Sequence, residues 1–151
     1  MNIEHKYQVR AASTAGRSGL VVADGVEPSI SFSAPPEFHG QAGHWTPESF
    51  FLAAAASCYV STFSGIAQNS NFDFHSLEME AQGIVAQDEG GWRFREILLR
   101  PRLTIARAED RDKANRLLNK AEKICLVARS MACPVVLEPA VIIKGYVVAS
   151  S

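Results

Sequence analysis

Cysteine is scarce in this chain. Only three of the 151 residues are cysteines, at positions 58, 125 and 133. Three widely spaced thiols cannot supply the framework of disulfides that holds a small secreted domain together. In a reducing compartment, a disulfide between two of them is more often catalytic or redox-sensing than structural.

The chain also lacks a strong net charge and a continuous apolar segment. Fifteen Lys and Arg residues against 16 Asp and Glu residues leave a formal charge of −1, which provides no electrostatic basis for binding nucleic acid or an anionic membrane. No wholly apolar run reaches the roughly 20 residues that span a bilayer, and the N-terminal MNIEHKYQVR does not resemble a signal peptide. We therefore expect a cytoplasmic protein without nucleic-acid or membrane partners.

Length and pattern predict one domain, residues 1–151, with an α+β order. Apolar residues make up 47% of the chain, which is ordinary for a globular domain. The alternation of Tyr7, Val9 and Ala11 predicts a strand, and Asp24-Gly25 predicts a hairpin. Residues 34–46 hold two prolines and two glycines and predict a long surface loop.

A buried helix is predicted after this loop. Thr46 suits the N-cap and Pro47 the first helical position, while Glu48 suits the positive end of the helix dipole. From Phe50 to about Gln68 the segment is apolar nearly all round, which predicts burial on every side. At helical spacing it carries a stripe of small residues that allows another backbone to approach closely: Ala54, Ala55, Cys58, Thr62 and Gly65.

The second half repeats the order of strands followed by a helix. Residues 77–81 alternate, QDEGG at 87–91 marks a turn, and Pro101 in the following run predicts an edge strand or a bulge. Helical periodicity returns from about Ala108 to Met131, and VVLEPAVIIKGYVV at 135–148 predicts one or two last strands. No repeating βαβ unit is present, so the class is α+β.

Each cysteine taken alone is compatible with a small buried hydrophobe. Cys58 and Cys125, however, both fall on apolar sides of predicted helices, and packed helices could bring their Cα atoms within the roughly 4.4–6.8 Å of a disulfide. Cys133, beside Pro134, has no motif around it. A thiol with a pKa of about 8.5 needs a nearby cation to be a thiolate at pH 7. Arg17, in a turn between glycines, is a candidate cation, and an ordinary surface arginine is the alternative.

Three stretches carry a family resemblance. GRSG at 16–19, TPESFFLAAAASCYVSTF at 46–63 and AEKICLVARSM at 121–131 together resemble the Ohr/OsmC family of thiol peroxidases. The resemblance implies the OsmC-like fold, with antiparallel sheets wrapped around two long core helices in an intertwined homodimer. It implies that Cys58 is the peroxidatic nucleophile, Cys125 the resolving thiol, Arg17 the cation that holds the thiolate, and Glu48 the carboxylate that orients Arg17.

The implied activity is reduction of organic hydroperoxides, with hydrogen peroxide as a possible further substrate. It requires no bound cofactor, only an external dithiol such as dihydrolipoamide. The chain departs from the family's usual sequence at two places, and both bear on its branch within the family and on its preferred peroxide. Leu126 stands where the family usually has proline, and GHWTPE at 43–48 replaces the more usual G-x-x-N-P-E.

Helix geometry, combined with the roles that the resemblance implies for Glu48 and Cys58, also favours a dimer. Ten residues separate Glu48 from Cys58, which is about 15 Å of rise along one helix, too far for a glutamate side chain to cover. An antiparallel partner helix would bring a second Glu48 close to the first Cys58. We therefore expect an obligate homodimer with two active sites at the interface.

Aromatic residues near the loop could form an apolar substrate pocket, with plain core and dimer packing as the alternative. They are Phe38, Trp45, Phe50 and Phe51. His39 and His44 lack a third ligand at a recognisable spacing, so no metal site is predicted. Two other functions remain open: a thioesterase-like enzyme, whose chemistry would leave the cysteines unexplained, and a non-catalytic protein that binds a small apolar ligand.

Overall fold

The computed structural model describes residues 2–145, which form two compact units. The N-terminal unit ends at Phe51 and the C-terminal unit begins at Leu52. The predicted last strand extends to Val148, so its final part, residues 146–148, lies outside the described residues.

The N-terminal unit is built on a three-stranded antiparallel sheet. Its strands are β1 (Arg10–Ser13), β2 (Ser18–Ala23) and β3 (Val26–Ser33), in the order β1-β2-β3. Gly25, with a φ of +75°, forms the predicted hairpin turn between β2 and β3. The predicted loop follows β3 and contains only a short 3₁₀ helix, Pro36–Phe38. The first strand is shorter than predicted, since residues 2–9 form no regular element.

The GRSG segment forms the tight connection between β1 and β2. Gly16 has a φ of +57°, a left-handed conformation that favours glycine. At Gly19, a Cβ atom would lie 2.3 Å from the backbone oxygen of Ala12, so a larger residue would push the two strands apart. The turn is closed by backbone hydrogen bonds of 3.0 Å from Thr14 N–H to Ser18 O and from Ser18 N–H to Ala15 O. The two glycines thus hold Arg17 in a defined turn.

Helix α1 (Pro47–Asn69) begins at the predicted residue because its first turn is capped in both directions. The Ser49 N–H donates to Thr46 Oγ1 at 3.0 Å, and the Thr46 N–H donates to Ser49 Oγ at 2.7 Å. This is a capping box in which serine replaces the usual Glu or Gln. Glu48 therefore lies in the first turn with its side chain free for another role.

Only one side of α1 is buried within the chain. Its buried residues are Ala55, Tyr59, Phe63, Ile66 and Ala67. On the opposite side, Ala54, Ser57, Ser61 and Ser64 are exposed to solvent. The prediction of burial on every side is therefore wrong for the described residues, since only the side that carries Tyr59 and Phe63 packs into the core.

By length and composition alone, α1 is long and apolar enough to cross a membrane. The expectation that no apolar segment is long enough to span a bilayer is therefore wrong. The polar residues in α1 are too few and too small to lower its mean hydropathy below that of a membrane-spanning helix. The core helix of a soluble protein passes the same test. Tyr59 and Phe63 are fully buried inside the protein, and 28% of the window that meets this test is buried.

A second sheet forms most of the C-terminal unit. Strands β4 (Ser76–Asp88) and β5 (Gly91–Ile105) pair antiparallel, and β6 (Val135–Leu137) and β7 (Ala140–Ile143) both pair parallel to β5. Pro101 therefore lies in a central strand, and the predicted edge position or bulge is wrong. The sheet tolerates it because β6 pairs with residues up to Leu99 and β7 with residues from Arg102 onward, so Pro101 falls in the gap between them.

The predicted helix at 108–131 is divided. A 3₁₀ turn, Ala108–Asp110, leads into α2 (Arg111–Ile124), and α3 (Leu126–Arg129) follows after a break at Cys125. Cys125 has φ −59° and ψ +113°, and this extended ψ ends α2. The overall α+β class is confirmed, with a shorter second helix than the periodicity predicts.

Candidate active site

Cys58 lies in the middle of α1, at the margin between its buried and exposed sides. Its side chain is half-buried, while the next residue, Tyr59, is fully buried. Its sulfur lies 3.8 Å from the Oγ1 atom of Thr62, one helical turn further on. Cys58 is thus accessible from one side and held by polar contacts on the other.

Cys125 lies at the break between α2 and α3 and is fully buried. Its backbone N–H donates to Ala121 O at 2.9 Å as the last bond of α2, and its carbonyl accepts from the Arg129 N–H at 3.0 Å as the first bond of α3. The break therefore arises at the cysteine itself. Its side chain is fixed between two helical segments.

The two thiols interact, and their pKa values are shifted in opposite directions. Partial burial by itself raises the pKa of the Cys58 thiol. Hydrogen bonds from the Val127 N–H, the Cys125 thiol, the Thr62 hydroxyl and the Leu126 N–H outweigh burial, so that the pKa is lowered. At Cys125, burial and the hydrogen bond and charge of Cys58 raise the pKa, although the Ala128 and Val127 N–H groups oppose them.

These opposite shifts define a chemical order. The pKa of Cys58 is lowered and that of Cys125 is raised, which makes Cys58 the more acidic of the two thiols. A thiolate beside a neutral thiol is the arrangement that an oxidised cysteine needs in order to form a disulfide. The structure therefore brings together the two cysteines that the sequence singles out, while their catalytic roles stay predictions.

Tyr59 connects α1 to α2 beside this pair. Its hydroxyl donates to the backbone oxygen of Leu118 at 2.8 Å in a fully buried contact. Burial, together with the charges of Glu122 and Cys125, raises the pKa of Tyr59 far above its ordinary value, so it remains a neutral donor. This bond fixes the relative height of the helices that carry Cys58 and Cys125.

Arg17 and Glu48 both lie in the N-terminal unit. Arg17 is exposed, and neither residue forms an ion pair within residues 2–51. The Oε2 atom of Glu48 is buried and has no hydrogen-bond partner among the described residues. A buried carboxylate oxygen without a donor costs free energy, so this position favours binding of a cationic group. The roles predicted for Arg17 and Glu48 remain predictions.

The predicted aromatic residues are clustered in part. The rings of Trp45 and Phe50 stack at 5.7 Å with an interplanar angle of 7°, and Phe32 meets Phe50 edge-on at 6.3 Å. Phe38 and Phe51 are half-buried. Phe32 was not among the predicted pocket residues because it lies in strand β3 and not in the loop or the helix opening. The isolated bridge between Phe32 and Trp45 brings the two segments together.

The remaining candidate residues, Cys133, His39 and His44, belong neither to the cysteine pair nor to the aromatic cluster. Cys133 is half-buried in a cavity of about 270 Å³ that Lys123 and Arg129 help to line. His44 lies with its Nδ1 atom 3.4 Å from Ser31 Oγ, and His39 is exposed. Within residues 2–145, no group of three or more His, Cys, Asp and Glu side chains could hold a metal ion.

The polar groups around the Cys58 sulfur were not among the residues predicted from the sequence. Thr62 was placed on the same stripe as Cys58, and its spacing of four residues could have identified it as a hydrogen-bond partner. The N–H groups of Leu126 and Val127 could not be found in this way, because they become available only through the break at Cys125.

Comparison with known proteins agrees with this fold. Residues 39–139 match the family described as OsmC-like protein. Since this match spans well over half of the chain, the protein belongs to the OsmC-like family. It is 28% identical over 131 residues to YmaD of Bacillus subtilis, a protein described as uncharacterized, and this match covers 85% of this chain and 87% of YmaD.

A second relative has a name that states a role. The organic hydroperoxide resistance protein OhrB of Bacillus subtilis is 27% identical over 122 residues, which cover 79% of this chain and 85% of OhrB. Among solved structures, an OsmC-like protein of Vibrio cholerae superposes with a TM-score of 0.81 at 21% identity, covering 90% of this chain and 99% of that one. The predicted OsmC-like fold is thereby confirmed, and family membership indicates a redox role related to peroxides.

Proposed function

We propose that this protein is a cysteine-based peroxidase that reduces organic hydroperoxides. The proposal is supported by the interaction between Cys58 and Cys125, in which the pKa of Cys58 is lowered and that of Cys125 is raised. A more acidic, half-buried thiol is the reactive one, and a neutral thiol beside it can resolve its oxidised form.

The reaction proceeds in three steps. The Cys58 thiolate attacks one peroxide oxygen, the O–O bond breaks, and the products are a Cys58 sulfenic acid and an alcohol, with one proton taken up by the departing alkoxide. The Cys125 thiol then displaces the sulfenic hydroxyl, which forms a disulfide and releases water. An external dithiol such as dihydrolipoamide reduces this disulfide by exchange, so no bound cofactor is required.

Arg17 and Glu48 complete the site in this proposal. The guanidinium of Arg17 pairs with Glu48, whose buried Oε2 atom has no donor among the described residues, and the positive charge holds the thiolate and polarises the peroxide. A guanidinium suits this role because it can donate to a carboxylate and to an anion at the same time.

A second protomer supplies this charged pair. Glu48 and Cys58 lie on one continuous helix and are separated by about 15 Å of rise, which excludes direct contact within one chain. The exposed small-residue side of α1, formed by Ala54, Ser57, Ser61 and Ser64, allows a second α1 to pack closely. We infer a homodimer in which each Cys58 faces the second protomer's Glu48.

The preference for an organic peroxide follows from the aromatic cluster. Trp45 stacks on Phe50 at 5.7 Å, yet 52% of the Trp45 surface is exposed. Such an exposed apolar surface gains free energy by covering an alkyl or aryl group. Phe38 and Phe51 extend the proposed binding surface. We place the enzyme in the cytoplasm, where dithiol reductants are maintained.

Mass spectrometry tests the chemistry directly. One equivalent of cumene hydroperoxide added to the reduced protein should remove two hydrogens, and peptide mapping should locate the new disulfide between Cys58 and Cys125. The reason is that these two thiols interact in the reduced protein. In Cys125→Ser the same treatment should instead leave a sulfenic acid on Cys58 that a dimedone probe traps. A bridge to Cys133 would contradict the assignment of the resolving thiol.

Light scattering tests the assembly. At micromolar concentration we expect twice the mass of the 16.4 kDa chain. Ser57→Glu and Ser61→Glu together should yield the monomer and lower peroxidase activity in parallel, because four like charges would meet across the paired helices. Lys120→Glu, an exposed change on α2, is the matched control and should remain dimeric. A wild-type monomer with full activity would contradict the shared site.

A further inference from the structure

We propose that Tyr59 is a positioning residue for the step in which Cys125 resolves the oxidised Cys58. Its buried hydroxyl ties the helix that carries Cys58 to the helix that leads to Cys125, through a hydrogen bond of 2.8 Å to the backbone oxygen of Leu118. This inference rests on the proposed function. It concerns the resolving step and not the first attack on the peroxide.

Helix α1 is attached to α2 at two heights. Cys58 interacts with Cys125, and the next residue, Tyr59, binds Leu118. Leu118 precedes Cys125 by two helical turns, about 10 Å of rise, so both residues lie on the same face of α2. Both are fully buried. Two attachments at different heights fix the tilt and the rotation of α1, which one attachment would leave free.

The hydroxyl contributes a restraint that packing does not supply. Apolar contacts between helices are non-directional, whereas a hydrogen bond holds its two atoms within narrow limits of distance and angle. Tyr59 is fully buried, so a shift of α1 would leave its hydroxyl without a partner, at a cost in free energy. Burial and the charges of Glu122 and Cys125 raise the pKa of Tyr59, and the hydroxyl therefore keeps the proton that it donates.

The two chemical steps differ in their need for this restraint. In the resolving step the Cys125 sulfur attacks the sulfenic sulfur of Cys58, the S–O bond breaks, and the thiol proton leaves with the hydroxyl as water. Disulfide geometry is narrow, and both sulfurs are held by the backbone. In the first step the hydroperoxide diffuses freely and adjusts its own approach. A small shift of α1 therefore slows the second step and spares the first.

Tyr59→Phe tests this distinction by removing one oxygen atom. The Leu118 oxygen keeps its helical bond from the N–H four residues later, so no buried polar group is left unpaired and the fold is retained. We expect loss of one equivalent of cumene hydroperoxide at nearly the wild-type rate. Disulfide formation should slow about tenfold, since a misplacement of about 1 Å can cost a hundredfold in rate.

Acid quenching and peptide mass spectrometry follow both species through a single turnover. Dimedone should trap the Cys58 sulfenic acid over a longer period in Tyr59→Phe than in the wild type. With excess hydroperoxide, this longer-lived sulfenic acid should take up a second oxygen and become sulfinic acid, while the second hydroperoxide leaves as its alcohol.

Lys113→Met is the matched control. The Lys113 ammonium donates to the backbone oxygen of Ser70 at 3.2 Å and thus ties α2 to the segment just beyond α1, about 18 Å of helix rise from Cys125. Each variant loses one hydrogen bond and should lower the Tm of the reduced protein by about 2–4 °C. Only Tyr59→Phe should slow disulfide formation. Equal slowing in both variants, or the wild-type rate in Tyr59→Phe, would overturn the proposal.

The same measurements separate this inference from the proposed function. If the wild type consumes no hydroperoxide, or forms no disulfide between Cys58 and Cys125, the peroxidase proposal fails and this inference fails with it. If the wild type and Tyr59→Phe form that disulfide equally fast, only the role of the Tyr59 hydroxyl fails.

Discussion

Cys58→Ser should reduce the consumption of cumene hydroperoxide by at least about a thousandfold, to the rate at which dithiothreitol reacts without protein. Serine preserves the size of the side chain but is not ionised at neutral pH, so it cannot displace an alkoxide from oxygen. The measurement is loss of hydroperoxide with excess dithiothreitol or dihydrolipoamide. Folding is checked by thermal unfolding, which should change little because Cys58 is only half-buried.

Cys133→Ser is the matched control for this experiment, because it removes a half-buried thiol that contacts neither member of the pair in the proposed reaction. It should retain wild-type turnover. Equal rates for Cys58→Ser and the wild type would exclude the peroxidase. The alternatives of a thioesterase-like enzyme and a protein that binds a small apolar ligand would then remain, and neither uses the cysteines.

Arg17→Ala should lower kcat/KM at pH 7 by about tenfold to a thousandfold. A cation beside a thiolate lowers its pKa by about 1–3 units, and removing that cation raises the pKa again. The thiolate fraction at pH 7 falls accordingly, and activity should recover as the pH rises through the higher pKa. The measurement is the pH profile of kcat/KM, whose acidic limb should move to higher pH.

Arg10→Ala provides the control for a general change of surface charge. Arg10 lies in the same unit and pairs with Asp24 at 2.8 Å, in an exposed ion pair of little energetic weight. It should leave the profile unchanged. Arg17→Lys keeps the charge but loses the bidentate geometry, so an intermediate rate is expected. If Arg17→Ala keeps the wild-type profile, the hydrogen bonds from the α3 segment are sufficient to activate Cys58, and Arg17 has no catalytic role.

Most of the elements could be predicted because their signals are local. The Thr46-Pro47 start of α1 depends on a cap between two residues three positions apart, and the hairpin at Gly25 depends on one left-handed residue. The α+β order follows from the change between periods of two and of 3.6 residues. The choice of Cys58 and Cys125 required only that two helices each place a thiol on an apolar side.

Three features were not predictable in this way because they depend on what packs against each segment. The helical periodicity of the sequence continues unbroken through Cys125. The helix nevertheless ends there, and the N–H groups that follow contribute to the pKa shift of the Cys58 thiol. The buried side of α1 is narrower than its composition indicates. Pro101 is accepted in a central strand because two separate strands, β6 and β7, leave a gap beside it.

The amino-acid sequence alone determined the family, the class of fold and the pair of thiols, since these depend on residue types at short, regular spacings. Only the tertiary structure decided which thiol is the more acidic. That difference arises from burial, from a neighbouring sulfur and from backbone N–H groups more than 60 residues away along the chain from Cys58. Such contacts are formed when α1 packs against the α2–α3 break, and no spacing within either segment specifies them.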